Sequence, residues 1–113
     1  MAFMHAMQAA HTSLENGLLR ILQMLGEEPP IGAYWHADLI RRVARDLPGL
    51  RPMILPVSLA EAADETRRFR NIAARGYDSF DQTRAGPAVR AATVLAAGLG
   101  EALRAFRDAM NQD

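Results

Sequence analysis

The chain has 113 residues, 50% of them hydrophobic, and its 13 basic side chains, all Arg, balance 13 acidic ones. That length suits one domain over residues 1–113, able to bury roughly two thirds of its unfolded surface around a single core. The zero net charge excludes a general coat for nucleic acid, and the lack of Cys excludes disulfides, thiolate zinc sites and a cysteine nucleophile.

From Met7 the positions Met7, His11, Leu14, Leu18, Ile21 and Leu25 step by four and three, a stripe down one helix face. Leu22 widens the stripe, and Glu15, Asn16, Arg20 and Gln23 supply the polar side. Gly26 and Pro29-Pro30 end this helix, because Gly favours a left-handed cap and Pro cannot continue the hydrogen-bond ladder. A loop over Glu27 to Gly32 leads to a second helix, predicted from about Ala33 to Leu47 and stopped by Pro48-Gly49. Its apolar side is Trp35, Leu39 or Ile40, Val43 and Leu47, with Asp38, Arg41, Arg42 and Arg45 facing elsewhere. Leu50 to Pro56 holds two prolines in seven residues and has no partner strand, so it reads as an extended connector.

Ser58-Leu59-Ala60-Glu61 fits a capping box at the start of a third helix, whose buried side is Leu59, Ala62, Thr66, Phe69 and Ala73. That helix reaches Ala74 or Arg75 and breaks at Gly76; Tyr77 to Gly86 reads as a loop. Pro87 suits the first turn of a last helix, on which Ala92, Leu95, Leu99, Leu103, Phe106 and Met110 form a stripe. Gly98 and Gly100 weaken that helix by up to ~1 kcal/mol each relative to Ala, or else permit close approach of a neighbour. The expected fold is all-α, an antiparallel up-and-down four-helix bundle. The first stripe is long for so small a domain, which points to a homodimer. No run approaches the ~20 apolar residues of a membrane span, and the start lacks a signal-peptide layout, so a cytoplasmic protein is expected.

Arg67, Arg68, Arg70 and Arg75 fall within nine residues that contain no Asp or Glu. Guanidinium groups grip phosphate bidentately, so this Arg-dense helix end, beside Asn71 and Tyr77, is a candidate phosphate site. Arg67 and Arg68 read more simply as solvated, neutralised by Glu61, Asp64 and Glu65. Arg70 differs: it sits beside Phe69 at the edge of the buried face, where a cation needs a partner.

The run Arg70-Asn71-Ile72-Ala73-Ala74-Arg75-Gly76-Tyr77 resembles the signature of HEPN domains, specifically the HepT-like ribonuclease toxins of type VII toxin–antitoxin systems. That signature is an Arg, a polar residue, a few apolar residues, a His, any residue and a Tyr. The similarity extends to His11 through Glu15, to Trp35-His36 with Leu39-Ile40, to Arg51-Pro52 and to Phe69-Arg70, covering roughly residues 8 to 110. It implies a helical, homodimeric, metal-independent endoribonuclease in which the motif Arg holds phosphate and the His moves protons. The family's catalytic positions fall on Arg70, Asn71 and Arg75. Two departures stand out. Members begin with a further helix that this chain starts too late to supply, and the His position holds Arg75. A guanidinium with a pKa above about 12 stays protonated, so Arg75 cannot be a general base, though it can bind phosphate and stabilise a transition state. RNA binding with weak or lost cleavage is the resulting expectation.

The resemblance also implies that Tyr77 is a candidate for adenylylation by a minimal nucleotidyltransferase antitoxin, an anionic group beside Arg70 that would block RNA. Tyr77 reads otherwise as a ring packed over the helix end. The three histidines are alternatives to the missing one. His11 lies in the first stripe as a core or interface residue, His36 orients the start of the second helix, and His5 sits in a Met-rich start. No pair has the spacing of a zinc site, and no cofactor is expected. Arg41, Arg42, Arg45 and Arg51 form a face balanced by Asp38 and Asp46, with Trp35 and Met53 as core or loop anchors. Two other readings stay open: a non-catalytic helical module that docks a partner nucleotidyltransferase, and an active ribonuclease using a His within reach of Arg70.

Overall fold

The computed structural model describes residues 2–75 and 82–112, with side chains described over 5–70 and 86–112. Among these residues the fold is all-α: α1 is Ala2–Met24, α2 Trp35–Val43, α3 Val57–Arg75 and α4 Gln82–Met110. The bundle is long and flat, 52 × 30 × 19 Å, because the 29 residues of α4 set one dimension and two helix diameters the smallest. α3 is the hub, lying against α4 along its length and touching α1 and α2 as well.

The core gathers Leu18 and Leu22 of α1, Leu39 and Val43 of α2, Ile54 and Leu55 of the connector, and Leu59 of α3. Each such side chain contributes about 1.5–3 kcal/mol by leaving water. Leu95, Leu99, Leu103 and Phe106 of α4 pack against this cluster while staying partly exposed. A smaller cluster of Met7, Phe69 and Ala88 joins α1, α3 and α4 beyond it.

The end of α1 follows from Gly26. Its φ of +76° lets the Glu27 amide reach back to the Leu22 carbonyl and the Gly26 amide to Gln23, the paired bonds of a Schellman cap. The cap delivers Glu27 to Arg51. The second helix is shorter than its periodicity predicts, ending at Val43 rather than Leu47. Its carbonyls find partners from the connector instead of from a further turn. Val43 accepts the amides of Ile54 and Leu55 at 2.8 and 3.0 Å, and the Arg51 guanidinium donates to the carbonyls of Arg42 and Arg45. Leu47 and Arg51 then pair as an isolated bridge across a turn that needs the positive φ of Gly49.

Two further expectations are corrected. The capping box at Ser58 and Glu61 does not form, because α3 begins two residues earlier than that cap requires and the Pro56 carbonyl accepts the amides of Leu59 and Ala60. Pro87 is not in the first turn of α4, which begins at Gln82 and runs through it. A proline there removes the N–H that would donate to the Thr83 carbonyl and crowds that carbonyl with its ring, yet the helix continues past it. The close approach at Gly98 is real: a Cβ there would lie 3.1 Å from a Leu59 methyl, while one at Gly100 would meet only the flexible Arg104 head.

Candidate functional site

Glu15 was expected on the polar side of α1 and is instead 3% exposed. The reason lies on its own helix and on two others. It stands one turn beyond His11, so both point at α3, and its carboxylate collects three partners there. His11 Nε2 lies 3.2 Å from Oε2, His36 Nδ1 of α2 lies 2.5 Å from the same oxygen, and Arg70 Nη1 of α3 reaches Oε1 at 3.5 Å. A carboxylate buried without partners would be protonated or expelled. Burial alone raises the Glu15 carboxyl's pKa, and the hydrogen bonds and charges of His11 and His36 outweigh it, holding it below the usual carboxylate value.

An ionised Glu15 accepts only, so both imidazoles donate to it. His11 is sealed in: its Nδ1 sits 2.9 Å from Thr66 Oγ1, which also lies 2.8 Å from the Ala63 carbonyl. The hydroxyl's one proton serves one of these two at a time. His36 is arranged differently. Its ring stacks on Trp35 with centroids 3.7 Å apart, its Nδ1–H is held by Glu15, and its side chain is 31% exposed. Its Nε2 has no partner among the described residues and is not buried.

Arg70 has the partner its half-buried position demands, but only one. A single long contact to Glu15 leaves the rest of its guanidinium open, with the side chain 30% exposed. Arg67 and Arg68 behave otherwise, both held by Asp64 at 2.8 and 3.0 Å. Asn71 and Arg75 belong to the last turns of α3, but their side chains, and Tyr77 altogether, lie outside the described residues. Arg41 pairs with Asp38, Arg42 reaches the Glu28 carbonyl, and Arg51 is wholly committed to the fold. Glu15 is the residue that sequence reasoning missed, while His36, expected to orient the start of α2, faces it. The available signal was the four-residue step from His11, which puts a carboxylate on the same face as a buried imidazole.

A cleft of about 360 Å³ opens between α1 and α4, walled by Met7, Leu14, Leu95 and Leu99. His11 and Thr66 reach it from behind the cluster. Its apolar walls suit side chains rather than phosphate. Among the described residues no group of three or more acidic, His or Cys side chains is disposed to hold a metal, and no helix is long and apolar enough to cross a membrane.

A family model described as HepT-like protein matches residues 2–110, nearly the whole chain. Comparison with curated proteins and with solved structures returned no match.

Proposed function

Because the chain belongs to the HepT-like family, we propose that it is a toxin-family protein that binds RNA phosphate through Arg70 at a dimeric Arg-rich site, with ribonuclease activity weak or lost because Arg75 stands at the catalytic His position. The observation that carries this reading is the state of Arg70: part-exposed, tied to Glu15 by one 3.5 Å contact, and holding spare donors toward solvent. A guanidinium so placed offers a phosphate the planar fork it prefers. Arg75, one and a half turns further along α3, adds a fixed positive charge but no titratable base. Asn71 follows Arg70 directly in the family motif and is the third residue assigned to the site.

Two experiments test this. Arg70→Ala weakens a salt-sensitive affinity for single-stranded RNA, measured by fluorescence anisotropy. Arg75→His raises RNA cleavage and toxicity on expression, and no gain from it would overturn the assigned cause of weak activity. Under the same reading a minimal nucleotidyltransferase is the antitoxin and Tyr77 its target. Intact-mass analysis after co-expression would find Tyr77 carrying a nucleotide, and an unmodified Tyr77 would remove that part of the proposal.

The apolar cleft between α1 and α4 favours a second reading, in which the bundle is an interaction module for a second copy or for that nucleotidyltransferase. Partner binding unaffected by Arg70→Ala, with no affinity for RNA, would support it over the first.

A further inference from the structure

Arg75 leaves the phosphate site without a base at the motif position, yet the cluster behind Arg70 contains an imidazole in working order. We infer that His36, oriented by the buried Glu15 carboxylate, is the general base for 2′-hydroxyl-assisted cleavage of an RNA phosphodiester held by Arg70. This rests on the RNA-binding reading above.

Four observations carry it. The Nδ1 of His36 is locked to Glu15 at 2.5 Å, which sets the neutral ring's tautomer and leaves the lone pair on Nε2. Trp35 stacked at 3.7 Å fixes the ring plane. Nε2 is unburied and free of any partner among the described residues. The other oxygen of the same carboxylate faces Arg70, so the proton acceptor and the phosphate-binding cation flank one buried anion. A carboxylate behind an imidazole whose outer nitrogen is open stabilises the imidazolium that forms when a proton is taken up. His11 cannot serve, since both its nitrogens are occupied and its side chain is fully buried.

In the step itself, Nε2 takes the proton of the 2′-hydroxyl as its oxygen forms a bond to phosphorus. The bond from phosphorus to the 5′ oxygen breaks, and its electron pair stays on that oxygen, which takes a proton from water. Nε2 returns its own proton to the resulting hydroxide. The products are a 2′,3′-cyclic phosphate and a 5′-hydroxyl, with the imidazole neutral again. Within this scheme His36 is the catalytic residue and Glu15 a positioning residue.

The test uses the full chain with a single-stranded RNA oligonucleotide and its 2′-deoxy counterpart, read by mass spectrometry for the cyclic phosphate. The wild type cuts the RNA slowly and leaves the deoxy strand intact. His36→Asn, which keeps a donor toward Glu15 but lacks Nε2, cuts roughly 100-fold more slowly while still binding RNA. His36→Gly regains cleavage when imidazole is added, which a merely structural role would not produce. Helical circular dichroism checks that each variant is folded. A folded His36→Asn that cuts like the wild type overturns the inference, as does a His36→Gly that imidazole does not rescue. RNA bound but left uncut by the wild type overturns it while sparing the binding proposal. RNA not bound at all overturns both.

Discussion

Arg51 and Arg70 each cross the fold to a glutamate, Glu27 in one case and Glu15 in the other, and the two pairs differ in how many donors they use. Arg51 is 1% exposed in its side chain and fully satisfied. Its Nε and Nη2 take the two oxygens of Glu27, and its remaining bonds go to the carbonyls of Arg42, Arg45 and Pro52. It closes the end of α2 and fastens the connector to the cap of α1. Arg70 spends one nitrogen on Glu15 and leaves the rest to solvent, while two imidazoles do most of the work of keeping that carboxylate ionised. The lesson is that an arginine whose donors are all taken fastens the fold, whereas a half-buried one with spare donors keeps the capacity to bind on which the RNA proposal rests. The same residue type, each facing a glutamate, serves opposite ends.

The sharpest way to break this contrast is Arg51→Ala. It strands Glu27 and three carbonyls, and is expected to cost about 3–5 kcal/mol in urea unfolding, with the RNA affinity of the folded fraction unchanged. A cost under about 1 kcal/mol would put Arg51 on the same footing as an ordinary surface ion pair. Arg70→Ala should do the reverse. RNA affinity is expected to fall roughly tenfold at low salt, and the slope of log affinity against log salt to shrink by about 1. Its stability should move by no more than about 1 kcal/mol, since the contact is long and part-exposed.

Glu15→Gln sharpens the comparison through pH. The carboxyl is held below its usual value of about 4.5 in the fold, so its contribution to stability is complete above that value. It is lost as pH falls through the lowered folded value. Wild-type stability should therefore fall on the acid side of about 4.5, and Glu15→Gln should flatten that limb while lowering stability at neutral pH. The smallest effect is expected from Arg70→Lys, which keeps a point charge for phosphate and loses only the fork. The matched Arg51→Lys should be worse tolerated than Arg70→Lys, because one ammonium cannot span Glu27 and three carbonyls.

Much of the helical frame was legible in the chain. The stripe from Met7, the Gly26 stop and the Leu59–Phe69 face all read directly, because caps and helix faces are set by residues within four or five positions. The local reading failed where a distant segment supplied the partners. The end of α2 was misplaced because the connector's Ile54 and Leu55 amides, rather than the Leu47 amide, meet the Val43 carbonyl. The capping box at Ser58 was a sound motif, but the cap lies two residues earlier at Pro56, whose carbonyl accepts the first helical amides. In the candidate site, Arg70 announced itself by its place beside Phe69, and His11 by its place in a stripe. Glu15 did not, since a glutamate among polar neighbours looks like a surface residue, and His36 was legible only as a residue orienting the start of α2.

By itself the sequence determined four helices, most of their buried faces and a family motif in which Arg75 stands at the histidine position. Those properties are local, carried by backbone bonds and side-chain spacing along one helix. Only the tertiary structure decided which charges leave water. A carboxylate goes inside when partners from other helices outweigh its desolvation, and the partners of Glu15 come from α1, α2 and α3 together. That convergence, 55 residues apart in the chain between Glu15 and Arg70, separates the arginine that ties the fold from one that keeps spare donors at the surface.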